Sequence, residues 1–200
     1  MFAQHQPQLA KLGRSGPDGF ERIATFALCT IRQPLRIAVA DYPLARAGKP
    51  CSAIFGSKHA GIAKLRAQSG DIWERCEDAF ENADDDDAAD IILGAIQDIP
   101  TLGPAKSGFV AQMIYGLSGC IDTHNLTRFE LPERTFRGRE AKYSEARFRQ
   151  TVRDYNSFCR KVGGTAYLWD SWCQYLAARD PVNYPNAERV SELHLAPLEN

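Results

Sequence analysis

The sequence predicts an all-α protein with one compact domain. Apolar residues recur at the spacing of amphipathic helices along most of the chain, and the alternating pattern of half-buried strands is nearly missing. The chain has 200 residues, 44% of them apolar and 24% charged, which suits a single buried core and excludes disordered and fibrous classes. Because no stretch resembles a membrane span or a secretory leader, we expect a cytoplasmic protein without membrane contact.

The first half of the chain divides into an arm and a series of helices. Residues 1–19 have weak periodicity and are interpreted as an extended N-terminal arm. A helix is predicted over about 20–32, because its apolar residues share one face and Gln33-Pro34 stops it. Further helices are predicted over about 51–67 and after Asp71, which is a suitable N-cap.

Four aspartates, Asp84–Asp87, precede the next predicted helix. Carboxylates near a helix N-terminus complement its dipole, so we interpret this run as a cap. A metal loop is the alternative, but the glycine of the calcium-loop pattern does not follow in position.

The C-terminal part contains two predicted helices and a tail. Apolar residues outline one helix from Tyr143 to Val162, ending at Gly163-Gly164, and a second over Tyr167–Ala178 whose aromatic side chains we assign to the core. Residues 179–200 are interpreted as an extended tail packed on the body or on a partner. The helical domain is thus predicted to cover residues 20–178.

Charge is strongly segregated although the formal net charge is only −1. Residues 1–75 carry 11 basic and 5 acidic groups, residues 76–99 carry 9 acidic and no basic ones, and residues 126–161 carry 10 basic and 5 acidic ones. Two basic regions forming one positive face would suit a polyanion, with the acidic run pointing elsewhere. Ordinary solvated helix faces are the alternative.

Six cysteines are scattered without the close spacing of a zinc site. We expect reduced, buried thiols that serve as small core residues, and neither a metal nor a cofactor.

A predicted helical hairpin over about residues 88–117 carries the most information. Ile99-Pro100-Thr101-Leu102-Gly103-Pro104 separates two apolar helices, with Gly103 suited to positive φ and Pro104 to the first helical position. Free N–H groups in the following turn, with Lys106 and Ser107, are suited to hold a phosphate. Such a hairpin grips a nucleic-acid backbone without reading bases.

This hairpin, followed by a helix and then Cys120-Ile121-Asp122-Thr123-His124, resembles the helix-hairpin-helix DNA glycosylase superfamily with its endonuclease III-like fold. The resemblance covers about 35 residues and implies an all-α fold and duplex DNA as a partner. It implies that the hairpin residues contact the DNA backbone and that Asp122 assists hydrolysis of the N-glycosidic bond of a flipped nucleotide. The residues implied to contact DNA are Thr101, Leu102, Gly103, Ala105, Lys106 and Ser107.

Two departures from the family pattern shape the expected activity. Bifunctional members have a nucleophilic lysine just after the hairpin, where this chain has Ala105, and Lys106 follows one residue later. One residue is about 100° of helix, so we expect Lys106 to face away from the pocket and lyase activity to be weak. Relatives with an iron–sulfur cluster have four clustered cysteines, whereas this chain offers only Cys159 and Cys173 there.

Each candidate site residue also has a structural interpretation. Asp122 is suited to cap a helix beginning at Thr123, His124 to pack or to form a hydrogen bond, and Gln112 and Tyr115 either to line a pocket or to pack.

Three functions therefore stay open. The first is a monofunctional base-excision glycosylase that depends on Asp122. The second is a non-catalytic structural or virion-associated protein, of phage type, that reuses the fold to bind nucleic acid or to assemble with protein partners through its tails. The third is a helical enzyme unrelated to DNA.

Overall fold

The protein is all-helical in the part that its computed structural model describes, residues 2–120, 125, 127, 130, 145–161 and 163–199. None of the helices described is both long and apolar enough to cross a bilayer. The helices in these ranges are α1 (Phe2–Arg14), α2 (Pro17–Cys29), α3 (Leu35–Arg46), α4 (Lys58–Asn82), α5 (Asp85–Gln97), α6 (Pro104–Ile114), α7 (Glu145–Lys161), α8 (Gly164–Arg179) and α9 (Ala187–Glu199).

Both ends of the chain are helical, so the prediction of extended arms over 1–19 and 179–200 is wrong. In α1, Leu9 is buried, and Gly13 lies so close to α6 that a Cβ on it would stand 2.7 Å from Ile114 Cγ1. In α9, Val190 and Leu198 are buried against the body. Prolines inside these segments mask their helical periodicity in the sequence, whereas burial of a few apolar residues stabilises the helices in the fold.

The middle of the chain differs from the prediction in two places. Helix α3 gives no clear signal in the sequence, because Pro34 precedes it and Pro43 lies inside it, although its buried residues Leu35, Ala38, Tyr42 and Ala45 share one face. Helix α4 consists of two helical segments joined at a kink at Gln68 (φ −136°, ψ 15°), next to the break predicted between two helices, but residues 51–57 lie outside it.

The aspartate run caps α5, as predicted. The carboxylate of Asp84 accepts hydrogen bonds from the backbone N–H groups of Asp86 (3.1 Å) and Asp87 (3.0 Å). Asp85, Asp86 and Asp87 occupy the first turn, where they complement the helix dipole.

The acidic run does not point away from the basic helix, which corrects the expected charge arrangement. From α7, Arg153 binds Asp87 (2.6 Å) and Asp90 (2.9 Å), and Arg160 binds Asp86 (2.8 Å). These two arginines therefore fasten α7 to the start of α5 and are partly neutralised, instead of forming a free positive face.

All six cysteines are free thiols, and five of them are buried, with Cys51 half-buried. Burial raises the pKa of Cys76 and of Cys159 to about 12. These thiols thus pack as small apolar residues, as predicted from the sequence.

Helix α6 lies at the centre of the fold. All eight residues from Ser107 to Ile114 are buried, and α1, α2 and α5 pack around it. The segment before residue 121 approaches it very closely, because a Cβ on Gly108 would stand 2.2 Å from the carbonyl oxygen of Gly119.

This contact predicts opposite effects for two Gly→Ala substitutions. Gly108→Ala is expected to lower the free energy of unfolding by about 1–3 kcal/mol, because the added methyl group overlaps the Gly119 backbone. Gly94→Ala in α5 is the matched control, since a Cβ added there would meet no atom within 4 Å. It is expected to raise that free energy by about 0.5–1 kcal/mol, because alanine is the better helix former. Denaturant unfolding measures the free energy of unfolding of both variants. Equal changes in the two variants would contradict the close packing of Gly108 on the Gly119 backbone.

Candidate functional site

The connection between α5 and α6, residues 98–103, is called the α5–α6 turn. Its left-handed residue is Thr101, with φ of 79°, whereas Gly103 has φ of −71°. The prediction of positive φ at Gly103 is therefore wrong. A β-branched residue rarely adopts positive φ, at a cost of about 1–3 kcal/mol, so the surrounding structure holds Thr101 in a strained conformation.

The α5–α6 turn satisfies most of its own hydrogen bonds. The N–H of Leu102 donates to Ile99 O (3.1 Å), and the N–H groups of Lys106 and Ser107 both donate to Gly103 O (3.0 and 2.9 Å). The Ser107 hydroxyl is buried and donates to Leu102 O (3.0 Å). Leu102 and Ser107 are buried, so they cannot touch a phosphate. The other residues predicted to contact DNA are partly exposed, namely Thr101, Gly103, Ala105 and Lys106.

Helix α4 supports the α5–α6 turn through a glycine contact. A Cβ on Gly61 would lie 2.6 Å from the carbonyl oxygen of Pro100, so only glycine allows this approach. The turn therefore packs directly against α4, and this contact fixes the direction in which α6 starts.

A cavity of about 260 Å³ adjoins the first turn of α6. Its walls come from the connection after α2, from α6, from the neighbours of residues 121–124 and from α8. The lining residues are Thr30, Gln33, Pro34, Leu35, Lys106, Phe109, Gln112, Cys120, Asn125, Leu168, Trp169, Trp172, Leu176 and Tyr184.

Aromatic rings form one side of this cavity. Phe109 of α6 stacks on Trp169 of α8, with ring centroids 5.5 Å apart and planes at 15°, and Trp169 lies 5.8 Å from Trp172. The Lys106 ammonium stands 4.9 Å from the Phe109 ring centroid. A cationic group beside stacked rings favours a planar ligand that carries negative charge.

Two amide side chains in the lining are held by backbone carbonyls. Gln112 Nε2 donates to Thr165 O (2.7 Å), and Asn125 Nδ2 donates to Cys120 O (2.8 Å). These bonds fix the orientation of both amides, and fixed amides are the groups that read the hydrogen-bonding edge of a planar ligand.

A buried lysine supports the wall formed by the connection after α2. Lys58 is 1% exposed and donates from Nζ to Ile31 O (2.6 Å) and Ala53 O (2.7 Å). Burial, more than the nearby positive charges, lowers its pKa from the ordinary 10.5 to about 8. The residue after Ile31, Arg32, has φ of 52°, so this connection is also held in a rare conformation.

Some of the predicted site residues line this cavity and others do not. Lys106 lines it, contrary to the expectation that it faces away, and so does Gln112. Asp122 and His124 lie outside the described residues. Tyr115 does not line the cavity: its ring lies 5.2 Å from that of Phe80, and burial together with Cys76 and Glu77 raises the pKa of its hydroxyl.

Sequence reasoning missed several lining and supporting residues. The sequence pattern assigns Trp169 and Trp172 to the core, and Trp169 is buried there with Trp172 packed against it, but helical periodicity does not show that both rings also line a cavity. Lys58 gives no signal either, because lysine is almost always solvated.

Comparison of the chain with known families, curated proteins and solved structures finds no significant match. The glycosylase resemblance therefore stays a prediction. Within the described part of the chain, no group of three or more His, Cys, Asp or Glu side chains is arranged to hold a metal ion.

The bonds of Lys58 predict a pH-dependent effect on stability. Lys58→Met is expected to lower the free energy of unfolding by about 1–3 kcal/mol at pH 7, because it leaves two buried carbonyl groups without a donor. Since the pKa of Lys58 is lower in the folded state, wild type gains stability relative to the variant as pH rises from about 8 to 10.5.

Denaturant unfolding from pH 7 to 10.5 measures this widening difference. Lys64→Met on the same helix is the control, because Lys64 makes no hydrogen bond or ion pair with described residues. A difference between wild type and Lys58→Met that narrows as pH rises would contradict the assignment.

Proposed function

We propose that the protein binds duplex DNA at the α5–α6 turn and hydrolyses the N-glycosidic bond of a nucleotide whose base enters the adjoining cavity. The observation that carries this proposal is the cavity itself. Aromatic rings, oriented amides and a lysine meet in about 260 Å³ beside the first turn of α6. Stacking surfaces combined with fixed hydrogen-bonding groups are what a flipped base requires.

The backbone of the α5–α6 turn adds support. Thr101 occupies the position at which the resembled family usually has glycine, and its φ is 79°. Positive φ is the conformation that glycine adopts readily, so this backbone geometry at Thr101 supports the proposed hairpin. Lys106, in the first turn of α6, then supplies the charge for one phosphate contact.

In the proposed reaction, water adds to C1′ of the flipped nucleotide, and the base leaves with the bonding electrons and a proton. The products are a free base and an abasic site. Asp122 activates the water or stabilises the positive charge that develops on the sugar. Cys120 and Asn125, which flank residues 121–124 in the chain, both line the cavity, and this supports a role for Asp122 there.

Ion pairs occupy two of the described basic side chains of α7. Arg153 and Arg160 are bound to Asp86, Asp87 and Asp90 and supply little attraction for phosphate. Most backbone N–H groups of the α5–α6 turn already donate to carbonyls of the turn or of α5. Lys106 is therefore expected to supply the main phosphate contact at the turn.

Base release from duplexes that carry single lesions tests the proposed reaction. Wild type is expected to produce abasic sites, detected as strand breaks after alkali, on at least one duplex of the panel. Asp122→Asn is expected to lose about 10²–10⁴ in rate, because the amide can neither take a proton nor carry negative charge.

Strand cleavage without alkali that is lost in Lys106→Met would instead identify Lys106 as a nucleophile. No base release on any duplex, with retained DNA binding or stable association with a partner protein, would contradict the glycosylase proposal and favour the non-catalytic structural function.

The phosphate contact of Lys106 has its own test. Lys106→Glu is expected to weaken duplex binding at low salt and to reduce the slope of log affinity against log salt by about 1. Lys11→Glu, the same charge change on an exposed residue of α1, is the matched control and should leave the slope nearly unchanged. Fluorescence anisotropy titrations at several salt concentrations measure both, and indistinguishable variants would remove the turn as the DNA contact.

A further inference from the structure

A second cavity, also of about 260 Å³, lies between the end of α3 and the start of α4. We call it the α3–α4 groove. Its apolar walls include Ala45, Ile54 and Ile62, and the cationic side chains of Lys49 and Arg66 and the imidazole of His59 line it as well. This groove shares no lining residue with the cavity beside α6.

The segment of chain that forms the groove carries no negatively charged side chain. The sequence contains no Asp or Glu from residue 42 to residue 70, and none of the described carboxylates lines the groove. The carboxylate nearest in sequence, Asp41, is occupied by the Ser52 hydroxyl (2.6 Å) and the Ala53 N–H (2.7 Å). The local electrostatic potential therefore favours an anion.

Arg66 is held in place before any ligand arrives. Its Nη2 donates to Ala45 O (2.9 Å) and Arg46 O (3.3 Å) at the end of α3. The guanidinium also packs on Gly48, where φ is 71° and a Cβ would stand 3.2 Å from Nη1. Because Nη2 makes both of these bonds, Nε and Nη1 are the nitrogens left to donate single hydrogen bonds to an anion.

The chemistry of the groove selects the ligand class. The two cationic groups, Lys49 and Arg66, match the charge of a phosphate monoester, about −1.5 to −2 at neutral pH, better than the single charge of a carboxylate, and the His59 imidazole adds a further hydrogen-bonding group. The apolar walls and the volume leave room for an uncharged planar or apolar group beside the phosphate.

We propose that the α3–α4 groove binds a phosphomonoester attached to a planar or apolar body, as in a nucleoside monophosphate. The phosphate lies among Lys49, His59 and Arg66, and the body lies against Ile54 and Ile62. A free nucleotide and the phosphorylated end of a DNA strand present this same chemistry. The proposal does not depend on glycosylase activity.

Calorimetric titration at fixed salt tests the groove with deoxyadenosine 5′-monophosphate, deoxyadenosine and inorganic phosphate. The nucleotide is expected to bind at least about tenfold more tightly than either fragment, because only it uses both the cationic and the apolar parts. Equal affinity for the nucleotide and deoxyadenosine, or no binding of the nucleotide at millimolar concentration, would overturn the proposal.

The double variant Lys49→Ala/His59→Ala locates the binding. Neither side chain makes a hydrogen bond or ion pair with described residues, so the variant should fold as wild type does. Its affinity for the nucleotide is expected to fall at least about tenfold. Lys64→Ala on α4 is the control that should keep wild-type affinity, and unchanged binding in the double variant would overturn the proposal.

A second titration distinguishes the two sources of the phosphate. Tighter binding of a 5′-phosphorylated oligonucleotide than of the free nucleotide, lost in the double variant, would assign the groove to DNA ends. The reverse order, with the same loss in the variant, would assign it to free nucleotides.

Discussion

The burial of α6 from Ser107 to Ile114 is the constraint on which the rest of the structure depends. A helix buried on every side needs partners around its whole circumference, and α1, α2 and α5 provide them. Two glycines make the approach possible: Gly13 lets α1 lie against Ile114, and Gly108 lets the backbone at Gly119 lie against α6. The first turn of α6 is the part that reaches the surface, which is why Lys106 stands at the mouth of a cavity.

The candidate site is formed by the elements that pack against the start of α6. Helix α4 packs against Pro100 through Gly61, next to Thr101 with its positive φ, so the start of α6 is fixed relative to the body. Helix α8 places Trp169 against Phe109. Lys58 donates a hydrogen bond to Ile31 O and so stabilises the wall formed by the connection after α2. Rigid walls of this kind keep a cavity open, since its lining side chains have packing or hydrogen-bonding partners that prevent collapse.

The sequence predicts the helical class, the capping of α5 by Asp84 and the position of the α5–α6 turn, because these depend on local patterns. The rest depends on tertiary contacts that leave no local signal. Proline hides α1, α3 and α9 from periodicity, yet burial of residues such as Leu9 and Tyr42 stabilises them. Charge counts suggest a basic face, whereas Arg153 and Arg160 bind the acidic run from a distant part of the chain. Trp169 belongs to the core, as predicted, but its second place in a cavity wall leaves no local signal.

A crystal structure of the protein bound to a duplex with one stable abasic-site analogue tests the central claim most directly, because it needs no knowledge of the lesion. We expect the α5–α6 turn to contact the DNA backbone and the extruded sugar to lie at the mouth of the cavity between Lys106 and Trp169. DNA bound at another surface, or an abasic nucleotide that stays within the helix away from this cavity, would contradict the proposed function.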